Sequence, residues 1–211
     1  MKSKLFILVM LFILSSQLNY SQSKISFSIG GGYLASLNSS ERLQYWNNGY
    51  SINFGIEYLT NSNFTLSAST SYQKYYYDEK LLQLTAPTVV GYRMQVNGEN
   101  TEVYELSLKA KVYMSSSSFI RPLISIGTGV LAITQGNVIL TSWMDGNETA
   151  KSSVTLKGSN NNYILGQYNL GAGLEIQISN NMHLLIEGSF VGCFNNGLSY
   201  FPITTSLKFG L

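Results

Sequence analysis

The chain has 211 residues with a formal net charge of +2, and only 11% of its residues are charged. This is less than half of the roughly 25% found in typical soluble globular proteins, so an ordinary soluble surface is not expected. Near-balanced charge without a basic run argues against nucleic acid as a partner. The single cysteine, Cys193, excludes an intrachain disulfide framework.

The first residues have the three-part layout of a secretory signal peptide. A basic start, 1–4, precedes an apolar run, 5–14, and a polar stretch of small residues follows at 15–23. The apolar run is about half as long as the roughly 20 residues that a spanning helix needs. We expect cleavage between Ser16 and Ser23, which removes residues 1–22 and leaves 23–211 as one domain. An uncleaved N-terminal anchor is the alternative.

Apolar and polar residues alternate with a period of two along the remaining chain, which predicts β-strands. In "NLGAGLEIQI" (169–178), for example, every second residue is apolar or small. No apolar run of about 18 residues follows the signal segment, so membrane-spanning helices are not expected. The predicted strands, in chain order, cover 24–34, 50–59, 64–73, 103–114, 119–132, 163–178, 183–191 and 203–211.

The connections between these strands alternate in length. Short, turn-rich connections lie at 60–63, 115–118 and 179–182. Strands that run up and down place the short connections at one end and the long ones at the other, as in outer-membrane barrels. The predicted long loops lie near 35–49, 74–102, 133–162 and 192–202.

Two of the long loops contain strand patterns of their own. Residues 89–106 include an Asn97-Gly98 hairpin turn, and residues 138–158 include Asp145-Gly146. Counting either inner run as a spanning strand would give an odd total and would reverse the later turns. Both loops are therefore predicted to form ribbons outside the membrane.

The two faces of the predicted strands differ in the size of their side chains. One face carries small or polar residues such as Ser67, Ser69 and Ser71, and the other carries Phe, Tyr, Ile and Leu. The interior of an eight-stranded barrel admits only modest side chains, so the small face is expected inside and the large apolar face toward lipid. The prediction is an all-β, eight-stranded antiparallel up-and-down transmembrane β-barrel with short periplasmic turns and long extracellular loops.

Aromatic residues at both ends of the strands predict two interfacial belts. Toward the long loops the predicted belt contains Tyr33, Tyr50, Tyr72, Tyr104 and Phe190. Toward the short turns it contains Phe27, Tyr58, Phe64 and Phe209.

Three segments resemble small bacterial outer-membrane β-barrel proteins of the outer-membrane protein A and W type, a porin-family barrel domain. They are "RPLISIGTGV" (121–130), "YNLGAGLEIQIS" (168–179) and "TTSLKFGL" (204–211). The resemblance implies a multi-pass protein of the outer membrane, surrounded by lipid and lipopolysaccharide. It also implies that the barrel-insertion machinery reads the last strand, which in that family usually ends in Phe. This chain departs from that pattern, ending Phe209-Gly210-Leu211.

The small, polar face also carries the candidate site residues, since buried charges must pair or coordinate something. We expect a cluster of salt bridges that closes the lower lumen; the alternative is a gate whose pairs exchange to pass ions. The predicted cluster contains Glu57, Glu105, Lys109, Lys111, Arg121, Glu175, Glu187 and Lys208.

Catalysis, metal binding and a cofactor are not expected. Small outer-membrane barrels that modify lipids use a His with a Ser and an acid, and the only His here is His183. Glu187 and Ser189 share its face but rise in height along the strand, so a nucleophile–base contact is not expected. The glycine-containing segments 127–132 and 171–176 lie on strands without a following helix, which argues against a dinucleotide site.

The sequence therefore favours a non-enzymatic outer-membrane barrel with a structural or surface-interaction role and a narrow lumen closed by salt bridges. A narrow pore or transporter for small solutes is the alternative. A secreted lipocalin-like carrier would require the opposite facing of the strands. Aromatic and apolar residues in loops 74–102 and 133–162 make an extracellular ligand possible there.

Overall fold

The segments in which apolar and polar residues alternate form β-strands along the described chain. The computed structural model describes residues 25–36, 46–80, 91–115, 119–144, 146–147, 149, 151–157, 162–194 and 198–210, so the predicted signal peptide lies outside it. No helix in this part of the chain is long and apolar enough to cross a membrane. The strands are β1 (Ile25–Ser36), β2 (Trp46–Asn61), β3 (Phe64–Tyr77), β4 (Tyr92–Gly98), β5 (Thr101–Tyr113), β6 (Ile120–Thr134), β7 (Val138–Met144), β8 (Ser152–Lys157), β9 (Asn162–Ser179), β10 (Met182–Cys193) and β11 (Ser199–Gly210).

Eight of these strands close into an antiparallel barrel in the order β1-β11-β10-β9-β6-β5-β3-β2. The first and last strands pair along their whole length, from Ser26 opposite Gly210 to Ser36 opposite Tyr200. This pairing leaves the barrel without an open sheet edge. The predicted eight-stranded, up-and-down antiparallel barrel is confirmed.

Short turns gather at one end of the barrel, here called the turn end, and the opposite end is called the loop end. Residues 62–63 join β2 to β3, residues 114–119 join β5 to β6, and residues 180–181 join β9 to β10. The predicted long loop near 192–202 is wrong, because β10 and β11 are separated only by residues 194–198. Val191 and Tyr200 pair across these strands with buried side chains, so the inward alternation extends both strands.

Large apolar side chains point outward from the barrel wall and small polar ones point inward, as predicted. On β5, Leu108 is 61% exposed, whereas its neighbour Ser107 is 1% exposed. Two outward hydroxyls have partners within the wall: Thr70 donates to the Glu105 carbonyl at 3.0 Å and Thr128 donates to the Gln167 carbonyl at 2.8 Å. A wall that faces lipid requires such internal partners, since lipid offers none.

Aromatic side chains contact one another around the outside of the barrel toward the loop end. Tyr72 and Tyr104 have ring centroids 5.3 Å apart, and Tyr168 and Phe190 have centroids 6.2 Å apart. Tyr and Trp rings favour the level where a bilayer meets water. We call these outward rings, Tyr72, Tyr104, Tyr168 and Phe190, the aromatic belt.

Beyond the aromatic belt the two faces of the strands exchange character. The outward positions become polar, with Lys74 opposite Glu102 and Glu102 opposite Thr134. The inward positions become apolar and fill the barrel at its loop end. These buried residues, here called the loop-end core, are Leu34, Trp46, Tyr75, Val103, Leu131, Ile133, Val138, Leu165, Val191, Cys193, Leu198 and Tyr200.

A separate three-stranded sheet with the order β4-β7-β8, here called the lid sheet, is formed by the two long loops. The predicted ribbon in 138–158 is confirmed as the β7–β8 hairpin, with Gly146 at φ +85°. The predicted hairpin turn at Asn97-Gly98 is wrong, because both residues lie within β4 and pair with Ile139 and Val138 of β7.

Packing explains why β4 joins β7 instead of turning back on β5. Val138 is buried in the loop-end core, and Val96 and Tyr77 pack against that core. At Gly98 an added Cβ would meet the Tyr77 ring, so the close approach of this ring requires glycine. Burial of apolar side chains thus outweighs the local turn preference of Asn-Gly.

We expect Leu108→Arg to lower the free energy of unfolding by about 2–4 kcal/mol, because its side chain lies outward on β5, midway between Tyr104 and Val112. Tyr76→Arg is the matched control, since Tyr76 is also exposed but lies beyond the belt residue Tyr72, and its expected cost is about 0–1 kcal/mol. Denaturant titration of protein refolded into phospholipid vesicles measures both values. Equal costs for the two variants would contradict the placement of the belt.

Candidate functional site

Seven charged side chains meet inside the turn-end half of the barrel and form one alternating chain of ion pairs. All seven lie at inward positions. Lys109 and Lys111 are two positions apart on β5, as the period of two requires, and the other five lie on five different strands. Six strands contribute, so the chain links walls that are not neighbours in the barrel. Its order is Lys109, Glu187, Lys111, Glu57, Lys208, Glu175 and Arg121, here called the luminal charge chain.

Each carboxylate in the luminal charge chain lies between two cations. Glu57 is 2.5 Å from Lys111 Nζ and 2.8 Å from Lys208 Nζ. Glu187 is 3.1 Å from Lys109 Nζ and 3.8 Å from Lys111 Nζ. Shared in this way, each buried charge has more than one counter-charge or hydrogen-bond partner, which offsets part of its loss of hydration.

Glu175 has the most partners among these carboxylates. Its oxygens lie 3.0 Å from Lys208 Nζ and 3.3 Å from Arg121 Nη1, and the Tyr113 hydroxyl donates to Oε2 at 2.9 Å. Burial of Glu175 is almost complete, at 1% exposed. A carboxylate so deeply buried is stable only with charged and hydrogen-bonding partners such as these.

Arg121 connects the luminal charge chain to two of the short turns through hydrogen bonds. Its guanidinium donates to the Ser115 carbonyl at 3.3 Å and to the Ser62 carbonyl at 3.2 Å, and it stacks 4.1 Å from the Tyr113 ring centroid. Tyr113 also packs with Leu123 and Leu185 in a small buried cluster. These contacts fill the lumen at the turn end.

Glu105, which was predicted with the cluster, lies apart from it. Its carboxylate accepts hydrogen bonds from Gln73 at 2.6 Å, Gln167 at 2.7 Å and Ser71 at 3.1 Å. Within the described chain Glu105 forms no ion pair. Its inward position lies higher than that of Lys109 on β5, beyond the reach of the luminal charge chain, so neutral amides and hydroxyls stabilise it instead.

A polar cavity of about 70 Å³ lies in the lumen, along the wall of β2 and β3. The luminal charge chain, through Glu57 and Lys111, lines its lower part, and Glu105 with Gln73 lines its upper part. The Ser51 hydroxyl on this wall is buried and has no hydrogen-bond partner among the described residues. A polar space of this size holds a few water molecules and is far smaller than the pockets of about 300–1,000 Å³ that hold organic ligands.

His183 lies next to the luminal charge chain, with Nδ1 3.4 Å from Glu175 Oε1. Among the described residues no hydrogen bond joins His183 to Ser189. Groups of three or more metal-ligating side chains are likewise not found in the described part of the chain.

Two parts of the lumen were not predicted from the sequence: the hydrogen-bonding set around Glu105 and the loop-end core. Gln73, Gln167 and Tyr200 surround Glu105, and Tyr75 donates to Gln73 at 3.2 Å. The available signal was the exchange of polarity along β3 and β5, where Lys74 and Glu102 take outward positions that are apolar lower down.

The architecture is that of small eight-stranded transmembrane β-barrels, as comparison with solved structures shows. The Neisserial surface protein A is similar with a TM-score of 0.52 at 11% identity, covering 91% of this chain and all of that chain. The N-terminal β-barrel domain of Pseudomonas aeruginosa OprF gives a TM-score of 0.47 at 14% identity, covering 90% of this chain and all of that domain.

The outer-membrane enzyme PagL gives a TM-score of 0.41 at 11% identity, covering 89% of this chain and 99% of that chain. No protein-family model matches the sequence, and no curated protein sequence matches it. At these identities the likeness concerns the fold: the chain has the fold of outer-membrane β-barrels.

We expect Glu57→Gln to lower the free energy of unfolding by about 3 kcal/mol, because it leaves Lys111 and Lys208 short of a buried counter-charge. The double variant Glu57→Gln/Lys111→Met is expected to recover part of this loss, since it removes one of the two cations that Glu57 neutralises. A double-mutant cycle with Lys111→Met, read from denaturant titrations in vesicles, measures the coupling. Additive losses would contradict a coupled pair.

Proposed function

We propose that this protein is a non-enzymatic outer-membrane barrel with a closed lumen, which acts by displaying the lid sheet at the cell surface. The observation that carries the proposal is that side chains fill the lumen at both ends of the barrel. Ion pairs occupy its turn-end half and apolar side chains occupy its loop end. A barrel filled in this way is a rigid support and has no continuous aqueous path.

The turn end supports closure because its charges are paired with one another. The luminal charge chain crosses the lumen from Lys109 on β5 to Glu187 on β10, and its far end, Arg121, is held by two turn carbonyls. Opening this region to ions requires several short ion pairs to separate together. Each separation would expose a buried charge without a partner, which is costly.

The loop end supports closure by a different means. Tyr75 and Tyr200 meet edge to face with ring centroids 6.1 Å apart, and both are at most 1% exposed. Trp46 lies in the same loop-end core and its indole N–H donates to the Glu99 carbonyl at 2.8 Å. A packed aromatic layer of this kind excludes water and ions.

A narrow pore for small solutes is the second candidate, and one observation favours it. The polar cavity between the two closures is lined by serine hydroxyls and by charges of both signs, as a water-filled vestibule would be. Conduction would then require the loop-end core to move aside and the ion pairs of the luminal charge chain to separate. The conductance measurement below distinguishes the two functions.

The proposal extends to location and partners. The apolar wall and the aromatic belt suit a lipid bilayer, and the loop end suits lipopolysaccharide on the outer side of an outer membrane. Export through the signal peptide 1–22 and recognition of the last strand by the barrel-insertion machinery complete this assignment. An extracellular ligand is proposed at loops 74–102 and 133–162, which contribute the strands of the lid sheet.

We expect the purified protein to give no sustained conductance in planar lipid bilayers, because both ends of its lumen are filled. A variant with a truncated loop-end core, Tyr75→Ala/Tyr200→Ala, is expected to stay silent as well, since the luminal charge chain still closes the turn end. Single-channel recording after reconstitution measures both. Detergent alone and a general porin serve as negative and positive controls.

Sustained nanosiemens-scale openings of the unmodified protein would overturn the closed barrel in favour of the pore. Openings only in the Tyr75→Ala/Tyr200→Ala variant would assign the closure to the loop-end core alone.

A further inference from the structure

His183 and Arg121 approach the same oxygen atom at the turn end of the lumen. The imidazole Nδ1 lies 3.4 Å from Glu175 Oε1, and Arg121 Nη1 lies 3.3 Å from that oxygen. Among the described residues neither His183 Nδ1 nor Glu175 Oε1 takes part in a hydrogen bond, although both atoms are buried. A movement of about half an ångström would bring the imidazole into hydrogen-bond distance of an oxygen that pairs with the arginine.

Charged and titratable side chains from five other strands surround this contact. An imidazole is the side chain among them that changes charge between about pH 8 and about pH 5. The His183 side chain is 19% exposed, so protons from water reach it. The groups that act on it are Glu57 on β2, Tyr113 on β5, Arg121 on β6, Glu175 on β9 and Lys208, its direct neighbour on β11.

The luminal charge chain already contains more cations than carboxylates. Four Lys and Arg side chains in it pair with three Glu side chains. A proton on His183 adds one more positive charge beside Glu175, and positive charges at such short range repel strongly where little water screens them. Protonation therefore favours the withdrawal of one of the cations that now pair with Glu175.

Arg121 is the cation that withdraws at the lower cost. Its side chain is 17% exposed and lies at the turns, whereas the Lys208 side chain is 11% exposed. Lys208 is also held by Glu57 at 2.8 Å, whereas Glu175 is the one carboxylate that pairs with Arg121 among the described residues. An arginine that moves out at the turn end keeps its charge hydrated, which a lysine deeper in the lumen could not do.

We propose that His183 is an acid-sensitive switch that loosens the turn end of the barrel. Protonated His183 donates from Nδ1 to Glu175 Oε1, and Arg121 leaves this oxygen, the Tyr113 ring and the two turn carbonyls for water. When the imidazole loses its proton, Arg121 returns and the turns are held again. The inference rests on the proposed function and deepens it, because it concerns one of the two closures of the lumen. The loop-end core keeps the barrel closed in acid.

The first measurement follows both side chains by NMR on the mature protein in phospholipid nanodiscs, titrated from about pH 8 to about pH 5. His183 is the single histidine of the chain, so its ring signals belong to one residue. The Arg121 guanidinium lies 4.1 Å from the centroid of the Tyr113 ring, and the ring current shifts the neighbouring CδH2 signals of Arg121. We expect these signals to move to the values of a solvent-exposed arginine, with the same midpoint as the imidazole signals.

The second measurement reads the two turns that Arg121 holds. The Tyr113 amide donates to the Asn63 carbonyl at 2.8 Å and thereby joins these turns. In acid we expect its protection against hydrogen exchange, corrected for the intrinsic rate at each pH, to fall at least about tenfold. The Cys193 amide, which donates to the Leu198 carbonyl at the loop end, is the internal control and should change less than about twofold.

His183→Asn is the matched control variant, because its amide offers hydrogen-bonding atoms near the position of Nδ1 and does not titrate. In this variant the Arg121 signals and the Tyr113 amide protection are expected to keep their neutral-pH values down to about pH 5. Arg121→Lys identifies the Arg121 signals by their loss.

Contrary results overturn the inference in distinct ways. An imidazole that titrates while the Arg121 signals stay in place removes the link between the two side chains. An equal acid response in His183→Asn assigns the response to other groups. Bilayer recording separates these failures from that of the proposed function: a protein that is electrically silent but shows no acid response loses this inference alone, whereas a protein that conducts at neutral pH loses the proposed function.

Discussion

A charge inside an eight-stranded barrel must find its counter-charge or its hydrogen-bond donors inside the same barrel, because the lumen is too narrow to hydrate it. In the luminal charge chain one residue forms ion pairs with two others: Glu57 pairs with Lys111 and Lys208, and Lys208 also pairs with Glu175. The small residues of the wall follow from the same constraint. At Gly171 an added Cβ would lie 2.5 Å from Ser125 Oγ, the hydroxyl that donates to Glu187 at 2.8 Å. The ion pairs thus determine which side chains the neighbouring strands can carry.

The strands then carry two different patterns of polarity. Where the wall faces lipid, the inside is polar and the outside is apolar, as on β5 at Ser107 and Leu108. Beyond the aromatic belt, water replaces lipid outside, so Glu102 points outward while Val103 is buried. The same eight strands therefore form a membrane barrel below and a water-soluble barrel with its own apolar core above. This upper core is what the lid sheet packs on, through Val138 and Val96.

The sequence predicts most of the wall because alternation reports both strand geometry and facing, and the inward charges could be placed at nearly the right height. Glu105 was misplaced because equal parity on a strand does not separate residues by height or by the partners that other strands bring. Alternation alone does not predict the loop-end core, because the inward positions change from polar to apolar along the length of the same strands. The pairing of β4 with β7 was missed for another reason: Asn97-Gly98 is a local turn signal, whereas burial of Val138 depends on residues far away in the sequence.

The division of the barrel into two cores also explains where recognition is possible. Charges in the lower lumen are committed to one another, and the cavity above them is too small for an organic ligand. The outward wall in the lipid-facing zone is apolar and offers no specific hydrogen bonds. Exposed polar groups on regular secondary structure are found on the lid sheet, which contacts the loop-end core through Val138 and Val96. Because the lumen is closed, the surface on which polar groups can bind another molecule is that of the lid sheet above the membrane.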